Sequence, residues 1–233
     1  MEITPIRTRR LEPPQDDLLS ELDEALPQLQ EGDVVAVTSK AVAIHEGRCV
    51  RIEDADREVL IRTESERIIK TGSDWDLTVK FDAVAFAGGV DESNAGGHYV
   101  LLPQDPQRSA ALLRAHLRAR HGLTDLGVII TDSTALPFRQ GILGISIGHA
   151  GMRPVLDKRG VPDLFGRPSG YTFVNIVDAL AVAAAFSMGE TNESTPLCLI
   201  RNAPHVEFTD EDRSDELRIK PEEDVFYPLF KDR

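Results

Sequence analysis

Three short stretches of the chain place a hard oxygen donor where an apolar segment stops. They are Asp91 and Asn94 in "GGVDESN", Asp132 and Ser133 in "VIITDSTALPFRQG", and Glu190 in "SMGE". Carboxylates and hydroxyls on the ends of rigid elements suit Mg²⁺ or Mn²⁺, which tolerate little geometric slack and share their coordination with phosphate and water. Together they point to a metal-nucleotide site. A fourth stretch, "VTSK", ends a strand-like run in Ser39 and Lys40. It offers a hydroxyl, backbone N–H groups and an ammonium to a phosphate. It is not a P-loop, since G-x-x-x-x-G-K-[ST] is absent. Arg139 and Arg167 carry guanidinium forks that fit carboxylates or phosphates.

Each residue also has a plainer reading. Asp91, Ser93 and Asn94 could cap a turn, Asp132 and Ser133 could form one, Glu190 could close a helix, and Lys40 could be a solvated lysine. Arg accounts for 20 of the 26 basic residues, so an Arg in a loop says little by itself. The six histidines show no metal-ligand spacing, and His45 and His149 read as turn or core residues. No G-x-S-x-G elbow and no G-x-G-x-x-G fingerprint occurs, which ranks covalent hydrolases and dinucleotide enzymes low.

The elements that must position these residues follow from periodicity. Leucines after an acidic start predict an amphipathic helix over 16–30. A strand runs from Val34 to Thr38, followed by a turn or short helix and a second strand near Arg48. Residues 56–70 have helical spacing, and "LTVKFDAVAFAGGVDESN" is extended until its glycines break it. Residues 107–121 form the clearest helix. "LGVIIT" and "GILGISIGHAG" read as strands, 151–169 as a loop, 171–190 as an alanine-rich buried helix, and "PLCLIR" as a last strand. No regular βαβ beat appears, so the fold class is α+β, with mixed sheets and packed helices.

Composition sets the bounds. The 233 residues, 41% hydrophobic and 28% charged, are those of a soluble globular protein, expected in the cytoplasm for want of a signal-like or membrane-spanning segment. Two cysteines, Cys49 and Cys198, argue against a disulfide framework or zinc site. A net charge of -13, concentrated in the stretch "VEFTDEDRSDELRIKPEEDVF", repels nucleic acid. That tail reads as solvated surface or as part of a dimer contact.

In order, "DVVAVTSKAVAIHEGR", "GGVDESN", "LLPQDPQRSAALLR", "VIITDSTALPFRQG", "ISIGHAGMRPVLDKRGVPDLFGR" and "DALAVAAAFSMGE" with "TPLCLIR" resemble the segments of the coenzyme F-420 γ-glutamyl ligase family. The "IRTR" opening and "VAIHEGR" are similar to its branch associated with folate metabolism. The resemblance covers about Asp33 to Arg201 and implies that family's fold, a single ligase unit over 1–233, with two intertwined α+β subdomains as the alternative. It also implies a homodimer with its site near the subunit interface.

What it implies chemically is a ligase that spends GTP or ATP, with two Mg²⁺ or Mn²⁺ ions, to join glutamate to a carboxylate acceptor through an acyl phosphate. Carried over, Asp91, Asp132, Ser133 and Glu190 would hold metal, and Ser39, Lys40 and Asn94 would contact nucleotide. Arg139 would hold the acyl phosphate or an acidic substrate. Three departures stand out. Thr134 to Arg139 replaces a motif with two arginines, and Ile44 and Ala87 stand where relatives usually have a lysine and an asparagine. These losses favour a less anionic acceptor or a different nucleotide. The competing readings are a metal-dependent phosphohydrolase and a noncatalytic nucleotide-binding scaffold.

Overall fold

The computed structural model describes residues 1–70 and 76–229. Its centre is a five-stranded mixed sheet of β1 (Glu2–Ile6), β12 (Leu197–Arg201), β2 (Asp33–Thr38), β8 (Leu126–Thr134) and β9 (Leu143–Ala150), in that order. Only β2 and β8 are parallel; every other pairing in this sheet is antiparallel. Such a strand, covered on both faces, should be apolar throughout. In β2, Asp33 to Val37 are all buried.

Alternation splits the strands between two cores. Val35, Val37, Val128, Ile130, Leu197 and Leu199 face α1 (Leu18–Ala25), α2 (Ser39–His45) and α4 (Pro106–His121). Val34, Ala36, Ile129, Cys198 and Ile200 face α5 (Ile176–Met188). The sheet is the middle of three layers. In α5 the facing residues include Ala181, Ala184 and Ala185, and their small size lets the helix lie close. A Cβ on Gly144 of β9 would stand 2.5 Å from Ala185 Cβ and 2.7 Å from Ala181 O.

Gly148 is four residues further along β9 and should share that face. Instead its Cβ would meet Pro106 O of α4 at 2.4 Å, on the opposite layer. The cause is a bulge: the β8–β9 register shifts between Ile130 and Thr131, so that Ile130 pairs with Gly148 and Thr131 with Ser146. One extra residue reverses the facing of the strand beyond it.

A smaller unit packs beside the sheet. It contains β3 (Cys49–Arg51) paired with β7 (His98–Val100), α3 (Arg57–Glu64), and the antiparallel sheet of β4 (Arg67–Lys70), β5 (Leu77–Lys80) and β6 (Ala83–Phe86). Ile61, Ala87, Val90, Tyr99 and Leu101 form its core. Beside them Glu64 Oε2 accepts from Arg48 Nη2 at 2.6 Å and from Lys80 Nζ, with Glu64 and Lys80 11% and 8% exposed. Burial alone would raise the Glu64 pKa, but the two cations outweigh it and hold it below the ordinary value.

The α+β class with mixed sheets stands, and several boundaries move. The helix expected over 16–30 is only Leu18–Ala25, capped by Asp17 and ended before Pro27. The helix expected over 56–70 stops at Glu64, and its last residues form β4. The expected loop over 151–169 begins with β10 (Val155–Asp157), which pairs with β11 (Phe173–Asn175), so the helix expected from 171 starts only at Ile176. The acidic tail is largely exposed, as expected of a solvated surface, but its first part is tied to the main unit. Thr209 N donates to Gly151 O at 3.1 Å, and Asp210 accepts from Arg114 and Arg118, both at 2.8 Å.

Gly144→Ala should lower stability by about 1–3 kcal/mol, the usual cost of overpacking, since the inserted methyl meets helix backbone. Urea unfolding midpoints of the two proteins measure it. Gly170→Ala, at a loop glycine without a positive φ and with no heavy atom within 4 Å of its Cβ position, should leave the midpoint unchanged.

Candidate active site

The parallel register of β2 and β8 ends with Thr38 opposite Thr131. Chain ends of adjacent parallel strands open toward the same side, the general location of ligand crevices in such sheets. Thr38 caps α2 by accepting from Ala41 N at 3.3 Å, which fixes the point where strand becomes helix. The next residue, Ser39, donates from Oγ to Asp132 Oδ1 at 2.9 Å. Asp132 and Ser133 do not end their strand, as the sequence suggests. β8 runs on to Thr134, paired there with β9, with Asp132 opposite Ile145 and Ser133 opposite Gly144, and Thr134 Oγ1 donates to Val84 O of β6 at 3.0 Å.

Asp91 arrives from the smaller unit. The turn before it has positive φ at Ala87, Gly88 and Gly89. At Gly88 a Cβ would stand 2.7 Å from Ser65 Oγ, so glycine permits the close approach of α3. Asp91 then exchanges backbone hydrogen bonds with Val100, and its carboxylate accepts from Ser93 N at 2.8 Å. Lys40 Nζ donates to Asp91 Oδ2 at 2.8 Å, to Ser93 Oγ at 2.9 Å and to Ser93 O. All three ammonium protons are therefore engaged. Burial would raise the Asp91 pKa, but Lys40 and Ser93 prevail and keep it below the ordinary value.

The third wall follows α5. Gly189 ends the helix at φ 82°, and Glu190 Oε2 then accepts from Ser133 Oγ at 3.0 Å. Asn94, itself at φ 53°, donates its amide to Thr191 O at 2.7 Å, which ties the loop after Asp91 to the loop after α5. Ser39, Lys40, Asp91, Asn94, Asp132, Ser133 and Glu190 all line one cavity of about 980 Å³. Among the described residues no three Asp, Glu, His or Cys side chains form a ready-made metal cage.

Arg139 does not line the cavity. It sits in the exposed 136–141 loop, where its N–H donates to Leu136 O at 3.2 Å, although Ile142 at the end of that loop is a lining residue. Arg167 is exposed beyond β10 and bonds Asp163 through its backbone. His45 Nδ1 accepts from Leu18 N at 3.2 Å at the start of α1, and His149 is buried at 3% exposure, its pKa lowered by burial. Further lining residues are Arg9, the last residue of the "IRTR" opening, with Arg10 and Glu12 after it, Arg57 at the start of α3, and Glu193. Ile44 and Ala87 also line the cavity.

Residues 5–202 match the family model described as F420-0:gamma-glutamyl ligase. The chain is 38% identical to the coenzyme F420:L-glutamate ligase of Methanopyrus kandleri, across 97% of each chain. It is 34% identical to the coenzyme F420:L-glutamate ligase of Methanocaldococcus jannaschii, across 89% of each. It is 32% identical to that of Methanothermobacter thermautotrophicus, across 80% of this chain and 81% of the relative.

Asp132 is held in an unfavourable state. Burial pushes its pKa up to about 6; hydrogen bonds from Ser39 and Ser133 oppose this, and the Asp91 charge adds to it. Because the folded pKa lies above the ordinary 3.8, the ionised carboxylate costs stability, not at pH 4 but increasingly up to pH 6 and fully above it. The residue keeps partial solvent contact, so about 1–2 kcal/mol is the expected cost. Asp132→Asn in chelator-treated protein should therefore unfold at higher urea than wild type at pH 7.5, with the gap closing near pH 4. A gap that grows toward acid would contradict the assignment.

Proposed function

The chain belongs to the F420-0:gamma-glutamyl ligase family, and from that membership we propose that it joins L-glutamate to a carboxylate acceptor at the expense of a nucleoside triphosphate, GTP before ATP. The observation that carries this reading is the convergence of three oxygen-bearing pairs, Ser39 with Asp132, Lys40 with Asp91, and Ser133 with Glu190, on one cavity. The family's matched relatives are named for coenzyme F420 and L-glutamate, so the favoured acceptor is the deazaflavin acid. A folate or another small acid is the alternative.

The donor set fits a hard divalent cation. Asp91 and Asp132 raise each other's cost of ionisation, and among the described residues Lys40 is the one cation that bonds either of them, beside hydroxyls and backbone N–H groups. Asp91, Asp132 and Glu190, with the Ser133 hydroxyl, would hold Mg²⁺ or Mn²⁺, two ions in the fuller form of the proposal. When bound, such ions screen the triphosphate and polarise its γ-phosphoryl oxygens. Lys40, freed from Asp91, is placed to meet a phosphate oxygen, and Ser39 to donate to another. The amide of Asn94 holds Thr191 and so shapes the phosphate-facing loop.

In the reaction proposed, an acceptor carboxylate oxygen attacks the γ-phosphorus and the bond to the β-phosphate oxygen breaks, giving an acyl phosphate and nucleoside diphosphate. The glutamate amine then attacks that carbonyl, phosphate leaves, and the amine gives up a proton. Holding the partners in one water-poor cavity supplies much of the advantage over solution.

The proposal includes a homodimer. Leu164, Phe165 and Tyr171, between β10 and β11, are at least 95% exposed, as is Phe138, and Phe186 on α5 is 89% exposed. Apolar surface on this scale marks an interaction site. A second copy covering it would also bring the loop that carries Arg139 to the interface, where the residue could serve a site it does not reach within its own chain. Phe165→Glu should convert a dimer into a monomer in light scattering coupled to size exclusion; an unchanged mass would remove the hairpin from the interface.

The activity test measures phosphate release with GTP or ATP, Mg²⁺ or Mn²⁺, glutamate and a deazaflavin, folate or simple aromatic acid, with mass detection of product. Release that requires both acceptor and glutamate, with the condensed mass, is the expected result. Asp132→Ala should reduce it about a hundred- to a thousandfold, as loss of a group that stabilises transition-state charge does. Release without acceptor would indicate a phosphohydrolase instead.

A further inference from the structure

The cavity is acidic out of proportion to what it is proposed to bind. Seven carboxylates line it: Glu12, Asp76, Asp91, Glu92, Asp132, Glu190 and Glu193. Four cations line it, and three are already neutralised. Arg9 makes two bonds to Asp16, at 2.7 and 2.8 Å; Arg10 pairs with Glu12 at 2.7 Å; Lys40 pairs with Asp91 at 2.8 Å. The fourth is Arg57. Among the described residues its guanidinium has no carboxylate or other hydrogen-bond partner.

We infer that Arg57 is an oxyanion-binding residue of this cavity, holding a carboxylate or phosphate group of one of the substrates. This inference rests on the ligase reading for the identity of the anion. Three features of the fold support it. Arg57 is the first residue of α3, where the helix dipole disfavours a cation, so its charge does nothing for the helix. The capping of that helix is done by Asp56, which accepts from Glu58 N at 2.8 Å and Val59 N at 3.4 Å. Thirdly, α3 is fixed to the cavity wall by Ile61 against Ala87 and by the close approach at Gly88, so the position of Arg57 is set by a packed element rather than by a loose loop.

The neighbouring wall gives the residue its value. Phe86, Ala87, Gly89 and Val90 line the cavity with Arg57, and none of their side chains can pair with an anion. Ile44, which also lines the cavity, adds none. A substrate oxyanion reaching that side finds one unshared positive charge, and a guanidinium fork can hold both of its oxygens.

The test compares wild type, Arg57→Gln and Arg57→Lys in two ways: calorimetric titration with magnesium GTP, with the deazaflavin acid and with L-glutamate separately, and steady-state KM for each in the ligase assay. Loss of a charge-assisted hydrogen bond should weaken the affinity for one of the three about 10- to 100-fold in Arg57→Gln, with partial recovery in Arg57→Lys. Which of the three shifts identifies the source of the anion. Melting temperature should not change, since the side chain makes no hydrogen bond among the described residues. Equal affinity of wild type and Arg57→Gln for all three, or no binding of any by wild type, overturns the inference. Binding that depends on Arg57 in a protein without ligase turnover would uphold it and refute the ligase reading instead.

Discussion

The site depends on one pairing, the parallel register of β2 with β8. It brings Ser39, just past the end of β2, level with Asp132 in β8, 93 residues further along the chain. A slip of one residue would turn Asp132 to the other face of the sheet and bury a carboxylate against apolar side chains. What prevents the slip is the two-sided core: Val34, Ala36 and Ile129 on the α5 face, and Val35, Val37 and Ile130 on the other. Neither strand has a polar face on which to slide. The geometry of the site is thus a by-product of where methyl groups must go.

Charge is the second organising quantity. The chain brings Asp91, Asp132 and Glu190 into one cavity, where Lys40 and Ser93 bond the first, Ser39 and the backbone at Ser133 the second, and the Ser133 hydroxyl the third. A hydroxyl donor is a weaker partner for a carboxylate than a cation, which is why Asp132 stays hard to ionise while Asp91, with its ammonium, does not. Elsewhere the molecule pairs its acids more generously. Asp33 at the opposite end of β2 accepts from Arg201 at 2.9 Å, and Asp210 from two arginines.

Much of this was legible in the sequence, and the failures have separate physical causes. Helix α4 could be read because Asp105, Pro106 and Gly122 supply its cap, its first turn and its left-handed stop. β1 was missed because "EITPI" contains a proline, tolerated only since β1 is an edge strand. The 56–70 segment misled because charged and apolar residues alternate with spacing that fits a helix and, after Ser65, fits a strand equally well. For the site, Asp91, Asp132 and Glu190 were found as chain-end donors, but their partnerships span 51 to 93 residues, and no local pattern encodes such pairings. Arg57 was invisible for the same reason. Nearness in sequence made Arg139 look close to Asp132, whereas the exposed loop carries it away from its own cavity.

The buried set of Glu64, Arg48 and Lys80 has a consequence for how this lineage can change. Each member sits on a different element, α3, the residue before β3, and β5, and among the described residues each charge is balanced by the others. Removing Glu64 alone would strand two cations in the protein, a loss of about 3–5 kcal/mol when a buried pair is broken. Replacing all three with well-packed apolar side chains could be neutral. Between those two states lies a valley that single substitutions do not cross. The three positions should therefore be inherited as a block, turning over together or not at all, while the surface of α3 around them drifts freely.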